Sequence, residues 1–330
     1  MSIIKEMQVL VFYIVLVSII LFFNYLNLFY KDMFNLNIPS SISKIKNDFL
    51  QKKSVKLFIK RDDLIHDVIS GNKWRKLKYN FREANLRGCD NILSFGGAHS
   101  NHLHALSYAC NKMNFKSIGV VRGKQNSHLN STLSFCKKNN MSLHYVSRSD
   151  YQNHKYSDEM MKRLKKIFGD YYVIPEGGCN LLGVKGCEEI LEEIDLDFDV
   201  LCCAVGTGCT ASGLINSMNP HQYLIGFCPF KKVFEQKHNI LKYSDVKLSS
   251  NWELISDSDF GGFGKINVNL TNFIREFYLE FNIKLDLVYM GKLFYYLFNL
   301  IRNDFFKKDT RILVLHSGGL QGLTGFNFKY

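Results

Sequence analysis

The stretch ILSFGGAHSNH, Ile92 to His102, decides the fold. An apolar run ends at Phe95 in a glycine pair, Gly96-Gly97, and Ser100 or Asn101 then opens a helical pattern that reaches Met113. The segment therefore reads as a strand, a tight turn and a helix. Working outward, the same unit repeats. Strands are expected at Ile92–Phe95, Ser117–Val121, Ser142–Val146, Tyr172–Ile174, Val200–Val205, Leu224–Phe227 and Ile312–Leu315. Helical patterns lie between them, at Asn101–Met113, Asp158–Phe168, Gly183–Ile194 and Met290–Phe306. Strands separated by helices imply parallel sheets built from βαβ units. A chain of 330 residues can hold two sub-domains and a sizeable core. With only four prolines, no low-complexity linker and no internal repeat, these sub-domains are expected to interleave along the chain.

The net charge is +12, which suits a nucleic-acid or anionic-membrane partner in principle. The basic residues are scattered, however, with no run of five, so attraction of small anions is the simpler use and no nucleic-acid partner is expected. Nine cysteines at irregular spacing contain no CxxC pair. Neither a metal site nor a disulfide framework is indicated, and free thiols in a reducing, cytoplasmic setting are the expectation.

Residues 1–33 differ from the rest. Met7 to Tyr30 carries no charge, and its centre reads VLVFYIVLVSIILFF, Val9 to Phe23. A membrane-spanning helix needs about 20 apolar residues, and no small-residue cleavage site follows. Two readings stay open. The segment is a membrane tether, with membrane contact confined to residues 7–30, or it is not part of the working protein, which then starts at Met33.

Three glycine-rich turns follow three of the expected strands, and ligands of open α/β sheets bind at the carboxyl ends of strands. The first is SFGGAHSNH, where the free N–H groups of a helix start can hold a carboxylate. Ser100 as a plain helix cap is the commoner role for such a residue. The second, VGTGCTASG from Val205 to Gly213, reads as a phosphate cradle. It lacks the GK[ST] of a nucleotide loop. A dinucleotide fold competes, because Ala211 is a tolerated variant of the third glycine, although no acidic residue stands near twenty positions on. The third is HSGGLQG, His316 to Gly322. Separately, Gly71-Asn72-Lys73 precedes a helix bearing Arg75 and Lys76. The helix dipole and these cations lower the pKa of Lys73 and make its amine a better nucleophile. Taken alone, the stretch reads as a solvated basic helix end.

Together the motifs are far more specific. GNKWRK, GGAHSNH, GTGCTASG, YMGK (Tyr289 to Lys292) and HSGGLQG occur in this order and spacing. They closely resemble the 1-aminocyclopropane-1-carboxylate deaminases and D-cysteine desulfhydrases. These are pyridoxal 5′-phosphate (PLP) enzymes of fold type II, similar in build to the β-subunit of tryptophan synthase. The resemblance runs from about Ile38 to the end and omits the first 33 residues. It implies two interleaved three-layer α/β/α sub-domains with mainly parallel sheets and PLP in the cleft between them. The catalytic part would span 34–330, with a smaller sub-domain at roughly 85–175, and the enzyme would be a homodimer. It also implies roles. Lys73 carries the cofactor and moves the substrate α-proton. Asn101 meets the cofactor's ring hydroxyl. Ser100, Asn101 and His102 grip the substrate carboxylate. Gly206, Thr207, Gly208, Cys209 and Thr210 hold the phosphate. Tyr289 covers the substrate, and Ser317 hydrogen-bonds the pyridine nitrogen.

Three departures bear on the reaction. The deaminases have a glutamate after the tyrosine matching Tyr289; here it is Met290, which cannot protonate anything. Another of their tyrosines corresponds to Phe263, which cannot transfer a proton. Cys209 stands where related phosphate loops have glycine, and it is strained if that position needs a positive φ. The expected activity is therefore β-elimination from a D-amino acid, foremost D-cysteine, giving pyruvate, ammonia and sulfide. The alternatives are cyclopropane ring opening and a catalytically silent PLP-binding protein.

Overall fold

The computed structural model describes Met7 and residues 29–125, 127–244, 251–326 and 328–330. Residues Met1–Pro39 and Ser40–Tyr330 are two compact units. In the first, residues 29–34 are helical. The expected tether at 7–30 falls almost wholly outside the described residues, and among those that are described no helix is long and apolar enough to cross a membrane.

Among its described residues the second unit holds ten strands: β1 (Ile42–Ile45), β2 (Lys56–Lys60), β3 (Asn91–Gly96), β4 (Lys116–Arg122), β5 (Ser142–Val146), β6 (Tyr172–Ile174), β7 (Val200–Ala204), β8 (Tyr223–Cys228), β9 (Trp252–Ser256) and β10 (Arg311–Leu315). They form a six-stranded sheet in the order β1-β2-β10-β7-β8-β9 and a four-stranded sheet in the order β5-β4-β3-β6. Every pairing is parallel except β1 with β2. The chain is thus α/β with mainly parallel sheets. The smaller sheet, from β3 to β6, is inserted between β2 and β7 of the larger one.

The pleat explains the layers, because successive side chains of a strand point to opposite faces. Ile312 and Val314 share one core with Leu57, Ile59, Cys202, Ala204, Ile225 and Phe227, under the helices Val268–Phe281 and Met290–Arg302. Leu313 and Leu315 share the other with Leu201, Cys203, Val205 and Leu224, under the helices Leu181–Glu192 and Cys209–Ser217. Strands buried on both faces read as continuous apolar runs, which is why β7, β8 and β10 were legible in the sequence. β1, β2 and β9 were not anticipated. Lys44, Lys56, Lys60 and Glu253 interrupt their apolar pattern.

Lys60 is buried because its ammonium meets Glu193 at 2.7 Å and the Ser40 carbonyl at 2.7 Å. Arg75 joins the same network through Glu193 and Asp62. Burial alone would raise the Glu193 carboxyl, yet Arg75 and Lys60 hold it at about 2. Removing one partner of such a network costs about 3–5 kcal/mol. The network fixes the helix that carries Lys73 to β2 and to the end of the helix Leu181–Glu192. The helix expected to reach Phe306 stops at Arg302, where Lys53 binds the Arg302 carbonyl at 2.7 Å and Asp304 takes a φ of 55°.

Candidate active site

Lys73 lies in the first turn of the helix Asn72–Leu86. It is not a solvated helix end. Protein surrounds it, and only part of the side chain meets solvent. Its amine is lowered to about 7, first by burial and then by the neighbouring Lys76 charge. The direction agrees with the sequence reading, but burial is the larger cause. Near neutral pH a large fraction of the amine is therefore unprotonated and nucleophilic.

Two turns interlock beside it. Gly71 has a φ of 64°, and a Cβ there would lie 1.8 Å from the Ser317 carbonyl oxygen. Only glycine permits this approach. The Asn72 N–H donates to that same carbonyl at 3.4 Å. The GNK and HSGG turns thus touch backbone to backbone, and Lys73 and Ser317 come to one place. Asn72 also donates its amide to Thr210 Oγ1 at 2.9 Å and accepts from Lys73 Nζ. These contacts tie the lysine to the loop after β7.

That loop is shaped for an anion. Gly208 takes the left-handed φ of 93° and starts the helix Cys209–Ser217. The first N–H groups of a helix have no intrahelical acceptor, and its dipole favours negative charge there. Thr207 Oγ1 is buried without a hydrogen-bond partner. An orphaned hydroxyl next to free N–H groups fits a phosphate, since an unpaired buried polar group otherwise costs about 1–3 kcal/mol. Cys209 corrects one expectation: its φ is not positive, so it is unstrained. The residue that needs the left-handed conformation is Gly208. The Cys209 thiol points away from the helix start and donates to the Gly178 carbonyl at 3.4 Å. Lys76 is buried near this loop, and no carboxylate pairs with it among the described residues.

The turn after β3 joins from the smaller sheet. Ser100 caps the helix Asn101–Lys112, its hydroxyl accepting from the Leu103 N–H at 3.2 Å. The plain cap is thus present, and it does not remove the helix-start N–H groups from use. Asn101 faces the last turn: its amide lies 3.2 Å from where a Gly319 Cβ would stand. His102 turns inward to Ser94 at 2.9 Å, and burial followed by the Lys73 and Lys76 charges drives its imidazole down to about 3. Its ring is therefore neutral at physiological pH, and any carboxylate contact falls to its backbone.

At the other end, the Tyr289 ring lies 3.5 Å from where a Cβ on Gly206 would stand. Met290 and Ser317 meet directly, the Ser317 hydroxyl donating to the Met290 thioether at 3.7 Å. Phe263 stacks on Phe230 at 5.1 Å and meets Tyr289 edge-on at 6.0 Å. Residues missed in the sequence organise this end. Asp286 accepts the N–H groups of Val288, Tyr289 and Met290. Lys292, the last residue of YMGK, pairs in the interior with Asp257 and the Gly262 carbonyl. Asp257 in turn accepts the N–H groups of Phe260 and Gly262, so the loop bearing Phe263 is pinned to the helix that follows Tyr289. The signal for Asp286 was an acid three residues before the tyrosine at a helix start. A lone Lys292 on an apolar helix gave none.

All of the candidate residues thus lie on turns that touch one another, and the orphaned Thr207 hydroxyl and the partly buried, low-pKa amine fit PLP. Comparison with known proteins agrees. The description "Pyridoxal-phosphate dependent enzyme" matches residues 44–225. A putative 1-aminocyclopropane-1-carboxylate deaminase of Pyrococcus horikoshii is 32% identical over 286 residues, covering 83% of this chain and 87% of that one. A mitochondrial bifunctional D-cysteine desulfhydrase/1-aminocyclopropane-1-carboxylate deaminase of Arabidopsis thaliana is 28% identical, covering 81% and 73%. The crystal structure of an ACC deaminase homologue superposes with a TM-score of 0.74 at 30% identity, over 86% of this chain and 90% of that one. The chain is a PLP-dependent lyase that belongs to the fold type II family of 1-aminocyclopropane-1-carboxylate deaminases and D-cysteine desulfhydrases.

Proposed function

We propose that this lyase acts on D-cysteine by β-elimination, producing pyruvate, ammonia and sulfide. The observation that carries the reading is the Ser317–Met290 contact. A thioether and a hydroxyl stand there, and the nearby Asp286 commits both of its oxygens to backbone N–H groups. Among the described residues it is the Met290 thioether, not a carboxylate, that meets Ser317. Ring opening of a cyclopropane needs the stronger electron sink that such a carboxylate provides. Elimination of a thiolate asks less, because the leaving group is already good.

When bound, PLP supplies the electron sink that acidifies the substrate Cα–H. Lys73 would hold the cofactor, Gly206, Thr207, Gly208, Cys209 and Thr210 would hold its phosphate, and Lys76 would give a second positive charge. Lys73 Nζ takes the proton from the substrate Cα. The N–H groups at Ser100, Asn101 and His102 would orient the carboxylate, and Asn101 and Ser317 would hold the cofactor's ring through its hydroxyl and nitrogen. Tyr289 and Phe263 cover the substrate and exclude water. A silent binder loses one of its two supports, since Cys209 is unstrained.

The test is to supply the protein with PLP and offer D-cysteine, L-cysteine and 1-aminocyclopropane-1-carboxylate, measuring sulfide and keto acid. Sulfide and pyruvate should come from D-cysteine foremost. Keto acid from the cyclopropane without sulfide would replace this reading with deaminase activity, the name that the Pyrococcus relative bears. No product from any of the three would leave a silent binder.

A further inference from the structure

Cys179 and Cys209 face each other where the turn after β6 meets the loop after β7. Their thiols cross over. Cys209 Sγ donates to the Gly178 carbonyl at 3.4 Å, and Cys179 Sγ donates to the Thr207 carbonyl at 3.7 Å. The crossing brings the Cys179 and Cys209 side chains together. Lys76 stands beside them.

Burial pushes the thiols of Cys110, Cys202, Cys203 and Cys228 up, which makes them inert. Cys179 differs on two counts. It is partly accessible, and the adjoining Cys209 together with the Lys76 ammonium pulls it down to about 6. Cys209 is wholly buried.

We propose that Cys179 and Cys209 are a modification site for hydroperoxides, with Cys179 as the attacking thiol and Cys209 as the resolving one, and that their disulfide re-sets the phosphate-holding loop. The Cys179 thiolate attacks the distal hydroperoxide oxygen. The O–O bond breaks, and the remaining oxygen takes a proton and leaves as an alcohol, or as water from hydrogen peroxide. Cys179 is then a sulfenic acid. The Cys209 sulfur attacks it, its proton goes to the departing oxygen, the S–O bond breaks and water leaves. Two thiols lose two electrons and the hydroperoxide gains them. A disulfide holds its sulfurs at about 2.05 Å, so closing it draws the turn after β6 and the loop after β7 toward each other, against the Asn239 amide that holds the Thr207 carbonyl at 2.9 Å. That shift moves the Thr207–Gly208–Cys209 stretch off its phosphate-holding geometry, and a weakening of about tenfold is expected.

The experiment treats the full-length, PLP-loaded protein with hydrogen peroxide, alkylates the remaining thiols and maps the peptides by mass. A Cys179–Cys209 cross-link is expected. In Cys209→Ser, Cys179 should persist as a sulfenic acid trapped by dimedone. In Cys179→Ser, Cys209 should stay reduced. Without oxidant, alkylation of Cys179 in the wild type should reach half its plateau rate near pH 6. The oxidised protein should bind PLP about tenfold more weakly until a thiol reductant restores it. Cys179 left reduced, or joined to Cys187 instead, overturns the pair. A cross-link with unchanged PLP affinity overturns its action on the loop.

Discussion

Lys73, Asn72 and Thr210 form one continuous chain of polar contacts, while Tyr289, Phe263, Met290 and Ser317 offer aromatic faces, a thioether and a single hydroxyl. The first region is dense in charge and orphaned donors. In the second, the nearby acids Asp286 and Asp257 are already committed to backbone N–H groups and to Lys292. The contrast separates two tasks. On the proposed reading, the first region would hold a phosphorylated cofactor and the second would choose between substrates. Changes in the first should act on every substrate alike, and changes in the second should alter the choice between substrates.

The largest effect belongs to the first region. Lys73→Ala should remove the visible absorbance of the loaded protein and lower lyase activity by on the order of 10³-fold or more with any substrate. Activity that survives on one substrate alone would break the separation. Next comes the clamp of the second region. Lys292→Met leaves Asp257 buried and unpaired, and denaturant unfolding should show a loss of about 3–5 kcal/mol. In the protein that remains folded, KM should rise while the PLP spectrum stays unchanged. A spectral change would mean that the Phe263 loop also holds the cofactor. Met290→Glu sharpens the contrast further. It places a carboxylate beside Ser317, and the ratio of cyclopropane opening to sulfide release should rise on the order of tenfold, with PLP affinity unaltered.

Smaller effects return to the first region. Lys73 sits at about 7. Below that pH its amine is protonated and cannot attack an aldehyde, and above it the amine is free. The rate of PLP loading into stripped protein should therefore rise through pH 7 and then level, whereas an unperturbed lysine would still be gaining near pH 10. Asn72→Leu removes the link to Thr210 and should weaken PLP binding by about 1 kcal/mol, or roughly fivefold, by titration.

The two regions were also unequally legible from the residues alone. The glycine turns were plain, because a strand ending in glycine and running into a helix has one common use at a sheet edge. Strands buried on both faces, such as β7 and β10, stood out for the same reason. Lys73 was ambiguous: its neighbours Arg75 and Lys76 look like a solvated face, and only the fold shows that Asp62, Glu193 and protein bulk surround that helix. The Asp257–Lys292 clamp joins residues 35 apart through a loop. No local pattern marks such a pair. The strain suspected at Cys209 was placed one residue late, since sequence shows a glycine-to-cysteine change but not which residue takes the left-handed φ. The crossed thiols of Cys179 and Cys209 depend on β6 and β7 ending near each other in space, and spacing along the chain does not reveal that.

The most direct test is to reduce the PLP-loaded protein with borohydride, which fixes the cofactor on its lysine, and to map the modified peptide. The account predicts the added mass on Lys73. Its appearance on Lys76 or any other lysine, or on none, would contradict it.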